Sequence, residues 1–202
     1  MIHALILAAG ESRRMGMPKP LLRFGDATFL ERIVAVLRDS EVDRTTVVLG
    51  ARADVIRASV DLSGVDVVVN EDYPKGQLSS LIKGLRSLPR DTDAILLCLV
   101  DHPFLTTEIG NRLIGAFRET RRPIVLPVFN GRRGHPVLFA RSLFDELAGA
   151  PPDKGARHVV SSHEDEVLEV DVADRAVLMS IDTPQDYRAC FGAEPEIIYR
   201  EP

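Results

Sequence analysis

The sequence has little cysteine, since its 202 residues include only Cys98 and Cys190. Two cysteines are too few for the disulfide framework on which small secreted domains depend. Cys98 also lies within a strongly apolar run that is typical of a buried strand. We therefore interpret both residues as structural thiols.

The sequence also lacks an excess of basic residues and any long apolar run. With 25 lysines and arginines against 30 aspartates and glutamates, its formal net charge is -5. Nucleic-acid-binding proteins usually carry a net basic face, so this balance argues against such a partner. No apolar run reaches the length of a membrane span, and the N-terminus has no secretory signal pattern. These absences predict a soluble, cytoplasmic protein that binds neither nucleic acid nor a membrane.

Internal repeats and low-complexity segments are absent as well. A chain of 202 residues with 45% hydrophobic content buries a sizeable core and is most simply one domain. We place this domain at residues 1–191 and expect residues 192–202 to form a peripheral tail.

Two familiar phosphate-binding motifs are missing, although a glycine-containing loop, Leu7 to Leu22, follows the first apolar run. Gly16 is not followed by the Lys-Ser or Lys-Thr of a Walker loop, and Gly10 does not open a G-x-G-x-x-G fingerprint. The small residues and cations of the loop still suit an anion. Arg14 is able to grip phosphate oxygens with two hydrogen bonds, and Lys19 is a mobile point charge. The alternative is a solvated basic loop without chemical consequence.

The residues at 7–19 fill the pattern L-A-A-G-x-S-x-R-M-G-x-P-K. This pattern resembles the signature loop of the nucleotidyltransferases with a Rossmann-like fold, and within them the molybdenum cofactor cytidylyltransferases and the related guanylyltransferases. The resemblance implies that Arg14 and Lys19 are catalytic and hold the triphosphate. It also implies nucleotide-binding roles for other residues of the loop, namely Leu7, Ala8, Ala9, Gly10, Ser12 and Arg13.

Beyond the loop, helical and strand-like apolar patterns alternate. The predicted strands are residues 1–8, 45–49, 65–69, 93–100, 124–129, a short strand from 137, and 176–181. The predicted helices are residues 28–39, 51–60, the second part of 70–88, 107–120, and a helix that begins after Thr183. This alternation predicts a three-layer α/β/α sandwich around a mostly parallel, Rossmann-like sheet, with residues 93–100 as its central strand.

The segment from Asn70 to Leu88 begins with turn residues and becomes helical after Gly76. A helix N-terminus preceded by glycine suits an anion or ligand. Ser79 and Ser80 lie off the apolar stripe, where they either cap the helix or face a ligand. The segment resembles the family's G-x-x-S-S-L segment, which implies that Gly76, Ser79 and Ser80 line the nucleotide pocket.

Two aspartates follow runs that we predict to be strands, Asp101 after residues 93–100 and Asp182 after residues 176–181. Ligands of open α/β sheets bind at the carboxyl ends of strands, so both carboxylates should face the site. A hard cation that bridges phosphates is their natural partner. We predict that Asp101 and Asp182 bind Mg²⁺, with Mn²⁺ as an alternative. The structural alternative is that Asp101 caps the turn that follows it.

The turn signal Asn130-Gly131 predicts a hairpin over residues 130–139. Its G-H-P turn resembles the family's segment that faces the second substrate, and D-K-G-A-R at residues 153–157 resembles a loop near the acceptor. The resemblance implies that Gly134, His135 and Gly155 bind the acceptor. By their residue types alone, the histidine is more often structural and the loop is only a turn.

The resemblance implies that an acceptor phosphate attacks the α-phosphorus of a nucleoside triphosphate and releases pyrophosphate. The substrates would be CTP and the phosphorylated pterin of the molybdenum cofactor, and a molybdoenzyme would receive the product. Ala9, where the guanylyltransferases typically carry glycine, favours CTP over GTP because a methyl group leaves less room for a purine. The alternatives are guanylyl transfer to the same cofactor, nucleotidyl transfer to a sugar or alcohol phosphate, and a nucleotide-sensing or cofactor-carrier protein. The combination of Arg14, Lys19, Asp101 and Asp182 argues against a sensor, which needs no metal pair for chemistry.

Overall fold

A computed structural model describes residues 1–199 of the chain. Its strands are Ile2–Ala8 (β1), Arg23–Phe24 (β2), Ala27–Thr28 (β3), Arg44–Leu49 (β4), Asp66–Val69 (β5), Ala94–Leu99 (β6), Ile124–Phe129 (β7), Arg132–Arg133 (β8), Val137–Ala140 (β9) and Val167–Asp171 (β10). Its α-helices are Phe29–Arg38 (α1), Ala53–Ser59 (α2), Gln77–Ser87 (α3), Thr107–Thr120 (α4), Phe144–Ala148 (α5), Ala156–Ser162 (α6) and Pro184–Phe191 (α7).

The main sheet has the strand order β10-β7-β9-β6-β1-β4-β5. Strand β1 pairs in parallel with β4 and β6, in registers that align Leu7 with Val48 and with Leu99. Strand β9 lies between β6 and β7 and is antiparallel to both. The prediction of a mostly parallel sheet with β6 at its centre is therefore confirmed. The short strand predicted from residue 137 is β9, which lies inside the sheet.

Helices cover both faces of the sheet because its central strands are apolar on both sides. Alternate residues of β1 face opposite layers, as the pleat of a strand requires. Ile2 and Ile6 belong to the core that also contains residues of α1, α2, α4 and α7, whereas Leu5 and Leu7 belong to the core under α3, α5 and α6. The predicted three-layer α/β/α sandwich is confirmed.

Several boundaries follow the local signals in the sequence. Thr28 and Glu31 form the predicted capping box at the start of α1, and Thr183 caps α7 in the same way. Asn130 and Gly131 have φ angles of 50° and 73°, which form the tight turn of the β7–β8 hairpin. A two-residue hairpin turn with both φ angles positive favours the Asn-Gly sequence found here.

The prediction of a final strand at residues 176–181 is wrong. The last strand of the sheet is β10, and Arg175–Leu178 forms a short 3-10 helix instead. Val177 and Ile181 are buried in the core, so this apolar run packs without pairing in the sheet. A short apolar run does not by itself distinguish a strand from other buried segments. Strand β10 was missed because, at the edge of the sheet, it is half-exposed and mixes acidic with apolar residues.

The segment after α7, predicted to be a peripheral tail, contacts the β2 region. The backbone amide of Arg23 donates to the carbonyl oxygen of Glu196 at 2.8 Å, and Ile197 forms an isolated bridge with Leu22. The last part of this predicted tail, residues 200–202, lies outside the described residues.

Both cysteines are free thiols. Cys98 is buried in β6, where burial raises the pKa of its thiol to about 12, so it stays protonated and packs as an apolar group. Cys190 is exposed on α7. In residues 1–199, no helix combines the length and the apolar character needed to cross a membrane.

Candidate active site

A cleft of about 430 Å³ opens at the carboxyl ends of β1 and β6. Because these strands are parallel neighbours, the chain leaves both at the same edge of the sheet. The loop after β1 forms one side of the cleft, the turn before α3 forms another, and Asp101 and Asp182 lie at its charged end. Eleven predicted site residues line it, namely Leu7, Ala9, Gly10, Ser12, Arg13, Arg14, Lys19, Gly76, Ser80, Asp101 and Asp182.

The loop after β1 folds back on itself around Ser12. The Ser12 backbone adopts a left-handed conformation with φ of 56°, and its carbonyl oxygen accepts hydrogen bonds from the amides of Met15 and Gly16 at 3.0 and 2.9 Å. The Ser12 hydroxyl oxygen accepts a hydrogen bond from the backbone amide of Lys19 at 3.1 Å. These bonds close the loop and place Lys19 over the end of the sheet.

Lys19 joins the two predicted aspartates. Its Nζ donates to Asp101 Oδ2 at 3.2 Å and to Asp182 Oδ1 at 2.5 Å. The Lys19 side chain is 11% exposed, and the aspartate side chains are 26% and 27% exposed. One positive charge therefore compensates two partly buried carboxylates, which would otherwise repel each other.

Arg14 extends this cluster toward solvent. Its guanidinium donates to Asp182 Oδ1 at 3.0 Å, and its side chain is 71% exposed. Arg13 is 83% exposed and pairs with Glu11. Arg14 and Lys19 thus lie together beside Asp182, whereas Arg13 lies at the rim. The catalytic roles of Arg14 and Lys19 stay predictions.

Asp182 reaches the cleft by a route other than the predicted strand end. The amide of Ile181 donates to the carbonyl oxygen of Asp101 at 2.8 Å, which holds the chain before α7 against the end of β6. The carboxylate of Asp186, which closes the capping box of α7 with Thr183, accepts a hydrogen bond from the Asp182 amide at 3.0 Å. The start of α7 therefore positions Asp182, and the predicted strand that should have led to it is absent. Both aspartates contact Lys19, and their role as ligands of a divalent cation stays a prediction.

The two aspartates offer part of a cation site. Lys19 uses one oxygen of each carboxylate, and no hydrogen bond from residues 1–199 reaches Asp101 Oδ1 or Asp182 Oδ2. Within the same residues, no group of three or more histidine, cysteine, aspartate or glutamate side chains is arranged to hold a metal ion. A hard cation here would fit two carboxylate oxygens and complete its coordination with phosphate oxygens or water.

The turn before α3 forms another side of the cleft, and its residues that line the cleft are all uncharged. Gly76 has φ of 103°, a conformation that favours glycine, and it lines the cleft with Ser80. Ser79 does not line the cleft, because its hydroxyl donates to the carbonyl oxygens of Asp72 and Gly76. Neither serine caps α3, because its N-cap is Gly76 and has no side-chain cap bond. Ser80 lines the cleft, and the nucleotide-binding role of both serines stays a prediction.

Three other predicted residues, Ala8, Gly134 and Gly155, lie away from this cleft. Ala8 packs in the core on the opposite face of β1, since successive strand residues point to opposite faces. Gly134 packs against Val177, and a Cβ atom there would lie 2.4 Å from the Val177 carbonyl oxygen. Gly155 is the N-cap of α6, with φ of 56°. Their residue types are explained by packing and backbone conformation, without a ligand.

His135 lies in a small separate cavity beside His102, with the ring centroids 4.5 Å apart. Burial, followed by the neighbouring His102, lowers the pKa of His135 to about 4. Burial also lowers the pKa of His102, against the opposing effect of Asp101. Both imidazoles are therefore neutral near pH 7, and the grouping of Gly134, His135 and Gly155 around an acceptor stays a prediction.

Sequence reasoning missed several residues of the cleft. Tyr73, Pro74 and Gln77 line it from the turn before α3. Asn70 and Gly50 lie directly behind these residues of the turn and do not line the cleft themselves. Asn70 immediately follows β5, and Gly50 immediately follows β4. The strand-end rule that selected Asp101 would also have selected Asn70 and Gly50.

A Rossmann-like sheet with a cleft at its carboxyl edge, lined here by three cations and three carboxylates, is typical of nucleotide-binding proteins. Residues 4–167 match the MobA-like NTP transferase domain, and the chain belongs to this family of nucleotidyltransferases.

Curated relatives match most of the chain. The chain is 30% identical to nicotine blue oxidoreductase of Paenarthrobacter nicotinovorans, over 93% of this chain and 95% of the relative. It is 27% identical to the molybdenum cofactor cytidylyltransferase of Escherichia coli K12, over 92% of this chain and 93% of that protein. These two relatives are therefore named for different reactions.

A solved structure has the same fold along nearly the whole chain. The crystal structure of Rv0371c from Mycobacterium tuberculosis H37Rv has a TM-score of 0.85 and 33% identity, with 95% of this chain and 98% of that chain covered. A complex of Rv0371c with manganese has a TM-score of 0.82.

Proposed function

We propose that this nucleotidyltransferase joins CTP to the terminal phosphate of a molybdenum-containing pterin cofactor and releases pyrophosphate. The observation that carries the proposal is the cluster of Arg14, Lys19, Asp101 and Asp182 at one end of the cleft. The likeness to the molybdenum cofactor cytidylyltransferase supports the choice of substrates. A molybdoenzyme that receives the product and a cytoplasmic location belong to the same proposal.

The chemistry is a single displacement at phosphorus. An oxygen of the acceptor phosphate forms a bond to the α-phosphorus of CTP, and the bond from the α-phosphorus to the bridging oxygen of the β-phosphate breaks. Pyrophosphate leaves with that electron pair. Catalysis of this kind depends on positioning and on stabilisation of the charge that develops on the phosphoryl oxygens.

Lys19 and Arg14 supply the positive charge in this proposal. Lys19 is held over the cleft by the bond between its amide and Ser12, so its ammonium group is placed before a nucleotide binds. Arg14 lies nearer to solvent, where its planar guanidinium suits two oxygens of a phosphate group. A triphosphate would compete with the aspartates for both cations.

Asp101 and Asp182 would hold a divalent cation, Mg²⁺ or Mn²⁺. When bound, such an ion neutralises phosphate charge and orients the triphosphate. The manganese complex of Rv0371c supports a divalent cation in a protein of this fold. Asp101→Asn and Asp182→Asn should shift the metal titration of activity, and Asp72→Asn, whose carboxylate pairs with Lys75 on the surface, is the matched control.

The test of the reaction is pyrophosphate release with CTP, GTP, ATP and UTP, each with the isolated pterin cofactor and with a sugar phosphate. We expect release with CTP and the pterin cofactor. Release with GTP in preference to CTP would assign guanylyl transfer, and release only with the sugar phosphate would assign a different acceptor. Nucleotide binding without release under any condition would contradict an enzymatic role.

Base preference is tested at Ala9, which is buried at the end of β1 and lines the cleft. Ala9→Gly removes one methyl group, and a difference of this size is usually worth ~1 to 3 kcal/mol of discrimination. We expect the variant to use GTP more readily with little loss of CTP turnover. Parallel kcat/KM values for both nucleotides in parent and variant decide the point.

A further inference from the structure

The charged end of the cleft and its uncharged wall are formed by different segments. Arg14, Lys19, Asp101 and Asp182 form the charged end, and the ion pair of Glu11 with Arg13 lies at the rim. Side chains without charge form the wall, namely Ala9, Tyr73, Pro74, Gln77 and Ser80. A nucleoside triphosphate has the same division, since its phosphates are anionic and its base is neutral and flat. The charged end therefore suits the triphosphate, and the wall suits the base.

Gly50, directly after β4, lies behind this wall. A Cβ atom at this position would lie 2.7 Å from the Ala9 carbonyl oxygen, 2.7 Å from Tyr73 Cβ and 2.8 Å from Ala9 Cβ. All three distances are shorter than carbon atoms tolerate without movement of a neighbour. The absence of a side chain at Gly50 thus allows Tyr73 and Ala9 to lie together as one surface.

Asn70, directly after β5, also supports this wall. It is 3% exposed, and its amide nitrogen donates to the hydroxyl oxygens of Ser79 and Ser80 at 2.9 and 3.1 Å. Its amide oxygen accepts a hydrogen bond from the backbone of Asp72 at 3.1 Å. A single buried side chain therefore ties the start of the turn that contains Tyr73 to the first turn of α3.

We propose that Gly50 and Asn70 are positioning residues that set the spacing of the base-binding wall and thereby the preference for CTP over GTP. This inference rests on the proposed function, because it assigns the wall to the base of the nucleotide. Gly50 sets the spacing because the absence of a side chain there lets Tyr73 pack against Ala9. Asn70 sets it because its hydrogen bonds hold the turn that contains Tyr73 against the first turn of α3. Neither residue lines the cleft itself.

The test measures dissociation constants of CTP and GTP by calorimetry, with Mg²⁺ present, for the parent, Gly50→Ala and Asn70→Ala. The added methyl group of Gly50→Ala separates Tyr73 from Ala9, and Asn70→Ala releases the turn. Because small displacements of a binding surface cost up to about a hundredfold, we expect CTP to bind at least about tenfold more weakly to both variants. We also expect the ratio of CTP to GTP affinity to fall at least about threefold, toward the larger base.

Gly84→Ala is the matched control. Gly84 lies on α3 one turn after Ser80, and a Cβ atom there would meet the Leu5 side chain at 2.6 Å, so the substitution crowds the core between α3 and β1. We expect it to lower the melting temperature and to leave both the CTP affinity and the base preference unchanged. Asn70→Ala inserts no atom, so it decides the matter alone if Gly50→Ala does not fold.

The possible outcomes separate this inference from the proposed function. A parent that binds CTP, together with variants that keep its affinity and its base preference, would overturn the inference and leave the proposed function standing. An equal loss of base preference in Gly84→Ala would also overturn it, since general loosening would then explain the effect. A parent without affinity for either nucleotide would overturn both.

Discussion

Lys19 places one positive charge between two carboxylates that come from distant parts of the chain. Its Nζ contacts Asp101 and Asp182, and Arg14 contacts the second of these. The same two cations are the groups that an incoming triphosphate would contact in the proposed reaction. The charge balance of the cleft therefore depends on few side chains, and single substitutions there should have large effects on turnover.

Lys19→Ala and Arg14→Ala should each reduce turnover about a hundredfold or more. The reason is the loss of an electrostatic contact that strengthens in the transition state, for which about 3 kcal/mol is typical. Steady-state pyrophosphate release measures the effect. Arg118→Ala, which removes a surface guanidinium paired with Glu41, is the control and should retain the parent's rate. Turnover within threefold of the parent in Lys19→Ala or Arg14→Ala would remove that residue from the mechanism.

His135 should make the protein less stable as the pH falls. Its folded pKa of about 4 lies below the ordinary histidine value of 6.5, chiefly through burial and next through His102. Between these values the unfolded chain binds a proton that the folded protein does not, so stability is full above pH 6.5 and is lost as the pH falls toward 4. The loss amounts to about 3 kcal/mol.

Urea unfolding at several pH values from neutral to acidic tests this expectation. His135→Gln should show a shallower loss of stability than the parent. His163→Gln serves as the control, because His163 pairs with Glu146 and Glu166, whose hydrogen bonds raise its pKa and give a stability term of opposite sign. If the free energy of unfolding falls equally steeply with decreasing pH in the parent and in His135→Gln, His135 does not contribute to the loss of stability in acid.

At the scale of secondary-structure elements, the start of α7 connects helix capping with the site. The Asp186 carboxylate closes the capping box with Thr183 and also accepts from the amide of Asp182. Its hydrogen bonds, led by that from the Thr183 hydroxyl, lower the pKa of Asp186. A helix cap at this position stabilises α7 and holds a carboxylate of the cleft at once.

Asp186→Ala should therefore reduce both stability and activity. Loss of a cap costs about 1 kcal/mol, and loss of a group that orients a site residue costs about 10- to 100-fold in activity. Thr28→Ala breaks the equivalent capping box of α1, which does not line the cleft, and should reduce stability alone. Denaturant unfolding and turnover are measured on both variants. Equal activities of the two variants would show that the capping box of α7 does not position Asp182 for catalysis.

At the scale of the whole molecule, one sheet joins the layers of the described chain. The long strands β1 and β6 are shared by both hydrophobic cores, so neither core is complete without the other. Because length and composition also predict a single domain, we expect residues 1–191 to unfold as one cooperative unit.

Scanning calorimetry should show one transition, and CTP with Mg²⁺ should raise its midpoint. Ligand at about a hundred times its dissociation constant adds roughly 2.7 kcal/mol, which corresponds to about 5 to 10 °C for a chain of this size. Lys19→Ala should show a smaller shift because it lacks the main phosphate contact. Two separate transitions would contradict the single domain, and an equal shift in Lys19→Ala would contradict the binding role of that lysine.

The sequence alone determined the features that depend on neighbouring residues. The apolar pattern of β1, the capping boxes at Thr28 and Thr183 and the Asn130-Gly131 turn are local signals, and each has the predicted structure. The loop with Arg14 and Lys19 was recognisable for the same reason, because its residues follow one another in the chain.

Only the tertiary structure decided which distant residues meet. It placed Asp182 beside Lys19, 163 residues away, through the start of α7 and not through a strand. It also inserted β9 between β6 and β7 and placed Gly50 and Asn70 behind the wall of the cleft. The physical reason is that local patterns report which face of an element is apolar, whereas contacts between elements depend on how all the layers pack together.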